Sequence, residues 1–202
     1  MFDMEKALAI VDKLIEDGLV DAINDMTKCF YPENWFKDYA ALDLSYKIYS
    51  GASKGVIVFD ETDWVIKFDY YHDGTSYCEL EVKHYKLAIE AGLERYFAKT
   101  LMLRKIGNTS FTIQEKCKCD EDEVMDRVYD SVKRRREELC EELDNDDIWD
   151  EVNLICEDGE AYCIFEDAAL NQFIRYHYIN DLHQANFGKI GDRYVMIDYS
   201  GF

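Results

Sequence analysis

Proline is almost missing from this sequence: its 202 residues include one, Pro32, together with only ten glycines. A chain so poor in both is neither collagen-like nor a string of linkers, and 48% hydrophobic residues with 14% aromatics supply a packed core. Basic residues are scarce too, 23 Lys and Arg against 43 Asp and Glu, for a formal net charge of −20. Such a balance opposes nonspecific adhesion to nucleic acid and anionic lipid, so neither is an expected partner. Any phosphate site must then be built locally, from one or two cations, backbone N–H groups and a metal. Long apolar runs are absent, none approaching the ~20 residues that cross a bilayer. The opening MFDMEKALAIVDKLIEDGL carries acids where a signal peptide has a basic start. Seven cysteines, odd in number and irregular in spacing, do not form a disulfide framework, and the expected setting is reducing cytoplasm. The close pair Cys117-x-Cys119 has no second pair or histidine at zinc spacing, and reads as two thiols.

What is present falls into order. Met4, Ala7, Leu8, Val11, Leu14 and Ile15, then Leu19, Val20 and Ile23, recur at helical intervals interrupted at Gly18, predicting one bent helix or two short ones. YPENWFKDY reads as a turn and connector. From Leu44 the texture turns to strand: Tyr46–Ser50, Val56–Phe59 and Trp64–Phe68, separated by GASKG and DETD, predict an antiparallel meander. SYCELEVKHYKLAIEAGLERYFAKT is helical, with Leu80, His84, Leu87 and Ala88 along one stripe and Gly92 as the stop. Thr100–Arg104 and Ser110–Glu115 are two further strands.

Residues 120–151 are dense in charge, yet Val124, Val128, Val132, Leu139 and Leu143 thread an apolar stripe through it, as in a solvated amphipathic helix. Acids flank the Lys133–Arg136 run on both sides, which argues against a nucleic-acid patch. A last helix, about Glu166 to Tyr178, leads into a loop and two short strands. The expected class is α+β. A helical extension spans 1–43, five antiparallel strands with one helix span 44–117, and a reduced, mainly helical part spans 118–202.

Several residues in this frame suit phosphate chemistry. Val65 and Lys67 share one face of the strand WVIKF, where the ammonium either reaches water from a half-exposed position or, if buried, must find a counter-charge. Glu81 on the next helix lies at the right distance to supply it, with Glu79 as the alternative. Gly51, Ser53, Lys54 and Gly55 in SGASKG can offer backbone and side-chain donors to phosphate, although the same residues make an ordinary hairpin turn. In DLHQAN, Asp181 precedes Asn186 by five residues, and Asp198 follows the apolar run Val195–Ile197. An aspartate can accept a hydroxyl proton, and an asparagine oxygen with a second carboxylate makes a hard-oxygen site for Mg2+.

These stretches resemble the protein-kinase-like superfamily, which includes eukaryotic-type protein kinases and the aminoglycoside and choline phosphotransferases. DLHQAN is similar to its catalytic loop D-[LI]-[HK]-x-x-N, IDYSG to its D-F-G with one residue inserted, and WVIK to its V-A-I-K strand. The resemblance spans about 44–202 and implies a two-lobe kinase-like fold acting on ATP and Mg2+. Lys67 would hold the α/β-phosphates, Glu81 would orient it, and Asp181 would be the catalytic base. Asn186 and Asp198 would bind Mg2+, Val65 would pack on adenine, and the backbone from Glu115 to Cys117 would meet its edge. The sequence departs from the pattern in its short glycine loop, in Ile179 and Asn180 where H-R-D has histidine and arginine, and in ending at Phe202 without an activation segment or A-P-E. The expected function is an ATP/Mg2+-dependent phosphotransferase acting on a protein or small-molecule hydroxyl, with the 1–43 helices and the 120–151 segment shaping the acceptor side. A nucleotide-binding adaptor without transfer, or an acidic interaction protein without nucleotide, are the other readings.

Overall fold

Side-chain alternation places the strands. The computed structural model describes residues 2–25, 29–42, 44–70, 74–138, 145–158 and 165–200. In it β1 (Tyr46–Ser50), β2 (Lys54–Phe59), β3 (Trp64–Asp69), β4 (Thr100–Ile106) and β5 (Thr109–Glu115) form one antiparallel sheet of five strands, ordered β1-β2-β3-β5-β4. The chain is therefore α+β. Trp64, Ile66 and Phe68 point to one face, where Ile57, Phe59, Phe111 and Ile113 join them from the neighbouring strands. Val65, Lys67 and Asp69 point to the other, together with Thr112 and Gln114. β2 starts two residues earlier than its apolar run because the Gly51 amide bonds the Lys54 carbonyl, closing a tight turn that lets Ser50 pair with Gly55.

The chain divides into two compact units, one of Met1–Lys83 with Lys99–Lys116, the other of His84–Ala98 with Cys117–Phe202. In the first, α1 (Met4–Glu16) and α2 (Leu19–Asn24) are separate helices, broken at Gly18 with φ +88°. Their buried Ala7, Ile10, Val11, Leu14, Leu19, Val20 and Ile23 join the apolar sheet face in one core, so the N-terminal helices belong to the sheet unit. The stretch expected as a connector contains a short helix, α3 (Pro32–Phe36). Pro32 fits its first turn, where no N–H is needed, and Phe36 is drawn into the core, a tertiary contact that local propensity does not announce.

Helix α4 (Tyr77–Glu90) ends before Gly92, which takes φ +70°. Its start is held by Ser76, whose hydroxyl accepts from the Glu79 amide at 3.2 Å, and by Asp69, which accepts from the Cys78 amide at 3.0 Å. The buried stripe runs through Cys78, Glu81, Val82, His84, Tyr85 and Ala88, while Leu80 is half-buried at its margin.

The second unit holds α5 (Glu121–Glu138), α6 (Asn145–Asp158), α7 (Ala168–Tyr176) and a hairpin of β6 (Phe187–Ile190) with β7 (Arg193–Met196). The acidic segment expected as one helix is thus two, and Leu139 and Leu143 of its stripe lie outside the described residues. Val124, Val128 and Val132 are buried as the pattern requires, against Ile148, Val152, Leu170, Phe173 and the hairpin residues Phe187 and Met196. Asp167 caps α7, accepting from the amides of Ala169 and Leu170. Among the described residues no helix is long and apolar enough to cross a membrane.

Candidate functional site

Lys67 finds its counter-charge. Its ammonium lies 2.8 and 3.0 Å from the two carboxylate oxygens of Glu81, with the lysine 5% and the glutamate 0% exposed. A second lysine shares the same oxygen: Lys54, at the start of β2, reaches Glu81 Oε1 at 2.8 Å and is equally buried. Glu79 is occupied elsewhere, by Lys105 of β4 at 2.7 Å. Asp69, fully buried, sits opposite Lys54 in the β2–β3 register. Two ammoniums and two carboxylates therefore share the polar face of the sheet, an arrangement that needs its partners because an isolated buried charge is costly. Thr112, opposite Lys67 on β5, is fully buried, and its hydroxyl has no hydrogen-bond partner among the described residues. The neighbouring Cys78 thiol is pushed well above its ordinary pKa, first by burial and then by Asp69 and Glu81, with Lys54 and Lys67 opposing.

The glycine turn is held down by its own contacts. Tyr70 donates its hydroxyl to the Gly51 carbonyl and its amide to the Ser53 carbonyl. A Cβ on Gly55 would lie 2.3 Å from the Phe68 ring, so Gly55 is required by packing on the apolar face. Gly51 has room, its nearest neighbour being the Lys54 carbonyl at 3.9 Å. Val65 is 6% exposed on the same face as Lys67. At the end of β5 the amides of Glu115 and Lys116 donate to the carbonyls of Lys99 and Asp63. Cys117 begins the second unit, close enough to β6 that a Cβ on Gly188 would fall 2.6 Å from its own.

In the second unit the polar loop is braced from within. Ile179 and Leu182 are buried anchors on either side of Asp181, whose carboxylate is exposed and 3.7 Å from His183 Nε2. Asn186, 8% exposed, donates its side-chain amide to the Asp181 carbonyl at 2.6 Å, tying the two ends of the loop together. Its own carbonyl accepts from the amides of Ile197 at 2.8 Å and Asp198 at 3.5 Å, which sets the Asp198 backbone beside Asn186. Ser200 Oγ lies 3.1 Å from Asp198 Oδ1. Since the Asn186 nitrogen is spent on Asp181, Oδ1 is the atom it could offer a cation; the Asp198 carboxylate, the other expected ligand, is met by Ser200. Among the described residues no three His, Cys, Asp or Glu side chains converge as a ready metal cage. Mg2+, which keeps several waters and uses phosphate oxygens, does not need one.

Two features escape the sequence pattern. His84 is buried, and its Nδ1 lies 2.7 Å from the Tyr199 carbonyl, 115 residues on. A groove of about 520 Å3 runs along α5, lined by Glu123, Arg127, Ser131, Arg134, Glu166 and Tyr194 among others, and contains none of the expected site residues. Two of its acids are matched: Glu123 accepts from Lys189 and Tyr194, which holds its carboxyl below the usual range, and Glu166 accepts from Ser131 and Arg134. Comparison with family models, curated proteins and solved structures finds no match to this chain.

Proposed function

We propose that the chain is a small kinase-like protein that binds ATP with Mg2+ and transfers the γ-phosphate to a protein or small-molecule hydroxyl. The observation that carries this reading is the bidentate Lys67–Glu81 pair on a five-stranded antiparallel sheet. A strand ammonium fixed by a helix carboxylate is the device that presents one charge to α/β-phosphates. In this reading the sheet unit is the nucleotide lobe and the helical unit the second lobe. Lys67 and Lys54 take phosphate oxygens, the turn residues Gly51, Ser53 and Gly55 lie alongside, and the orphaned Thr112 hydroxyl offers a further donor. Val65 packs on adenine, and the Glu115–Cys117 segment meets its edge through carbonyl oxygens.

Asn186 and Asp198 hold Mg2+, which would neutralise charge building on the transferred group. Asp181, exposed at the tip of its loop, accepts the proton of the attacking hydroxyl as the new O–P bond forms and ADP departs with the electrons of the broken one. A reducing, cytoplasmic setting fits this reading, with Cys29 and Cys78 as free thiols.

A second reading, nucleotide binding without transfer, is favoured by one fact: Lys54 and Lys67 are both engaged by Glu81 and both 5% exposed, so phosphate must compete with a carboxylate for them. Incubation with γ-labelled ATP and Mg2+ separates the readings, comparing wild type with Lys67→Ala, Asp181→Ala and Asp198→Ala. Label transfer or phosphate release that all three variants lose supports the enzyme. A rise in melting temperature with ATP and Mg2+, but no loss of γ-phosphate, supports the adaptor. No response of either kind overturns both.

A further inference from the structure

The segment that carries Asp198 is anchored on both sides, and one anchor is a histidine side chain. Before it, the amides of Ile197 and Asp198 donate to the Asn186 carbonyl. After it, Tyr199 is 1% exposed, its ring meets Phe97 edge-on at 5.0 Å, and its hydroxyl donates to the Ala98 carbonyl at 2.7 Å. The Tyr199 carbonyl is met by His84 Nδ1 at 2.7 Å. A carbonyl can only accept, so Nδ1 carries the hydrogen. His84 lies on α4, 4% exposed, in a stripe whose next buried members are Tyr85 and Ala88. Packing alone would accept leucine or methionine there, but neither offers a donor to the Tyr199 carbonyl.

We propose that His84 is a positioning residue for the candidate metal loop: by donating from Nδ1 to the Tyr199 carbonyl it fixes the backbone that presents Asp198. The role in Mg2+ binding rests on the kinase-like reading; the anchoring of 197–200 does not. His84 touches neither metal nor nucleotide in this account. It acts one peptide away, as outer-shell partners do at metal centres, where their loss weakens metal binding about 10–100-fold. The sequence hides this because a histidine in an apolar helical stripe looks like filler, and its partner is 115 residues distant.

Two measurements on the full chain test it. Nitrogen NMR of the wild-type imidazole, together with hydrogen exchange of the 197–200 amides in wild type, His84→Leu, His84→Asn and His84→Gln, needs no nucleotide. Expected are a hydrogen on Nδ1, exchange at Ile197 and Asp198 roughly tenfold faster in His84→Leu, as follows from losing about 1.4 kcal/mol of local protection, and recovery in His84→Asn. The Asn amide nitrogen occupies the place of Nδ1, whereas the Gln nitrogen falls nearer that of Nε2 and does not rescue. A neutral ring carrying its hydrogen on Nε2 alone, or unchanged exchange in His84→Leu, overturns the proposal. In the second measurement, Mg2+ titration at fixed ATP should show half-saturation rising about tenfold in His84→Leu and returning in His84→Asn. If wild type ignores Mg2+ and ATP while the exchange result holds, the nucleotide reading fails and the anchoring role of His84 stands.

Discussion

At the residue scale, Glu81 is the keystone of its cluster because two ammoniums meet its one carboxylate. Removing either lysine leaves Glu81 with the other at 2.8 Å, whereas removing Glu81 takes a 2.8 Å partner from both. Breaking a buried pair so that a charge stays behind costs about 3–5 kcal/mol. Chemical denaturation should therefore show Glu81→Gln losing that much, and Lys54→Ala losing clearly less. Equal losses would mean that the sharing is not what holds the cluster.

Cys78 gives a second check at this scale. Its thiol is raised in the folded state, so its contribution to stability is full below the unfolded thiol value of 9.0 and is lost as pH rises through the folded value. At pH 8 a maleimide should label the exposed Cys29 and Cys119 and spare Cys78 in the native protein. The stability lost above pH 9 should be smaller in Cys78→Ala than in wild type. Identical alkaline profiles would remove Cys78 from the account.

At the scale of elements, the β1–β2 turn separates packing from ligand contact. Gly55→Ala would push a methyl into the Phe68 ring, an overpacking expected to cost about 1–3 kcal/mol, while Gly51→Ala has space and should melt within a degree or two of wild type. Thermal unfolding of the two variants checks this, and an unstable Gly51→Ala would contradict it. The same element shows what periodicity can and cannot reveal. The period-two pattern of WVIKF shows that Lys67 and Trp64 face opposite sides, since alternation is local geometry. It does not show that Lys54 meets Glu81, 27 residues away, or that Gly55 answers to a ring on the next strand. α3 was illegible for a related reason: five residues make a helix only because Phe36 finds a core assembled from other elements. DLHQAN and IDYSG could be singled out as candidates because their residue types and spacing are local, whereas the braces Asn186 to Asp181 and His84 to Tyr199 depend on the fold.

At the scale of the whole molecule, the formal charge of −20 opposes compaction, and ion pairs such as Arg104–Asp12 and Arg136–Glu151 are partly exposed and individually weak. Raising salt from 0.01 to 0.1 M shortens the screening length from about 30 to about 10 Å. The melting temperature should therefore rise over that range, and a fall would mean that attractive pairs outweigh the net repulsion. The same charge makes any tight anion binding informative, because it must come from a local site. Calorimetric titration of ATP, with and without Mg2+, into wild type and Asp198→Ala tests the central claim most directly. Wild type should bind ATP saturably and more tightly with Mg2+, a gain that Asp198→Ala loses while staying folded. No binding heat or melting shift in wild type at millimolar ATP and Mg2+ would contradict it.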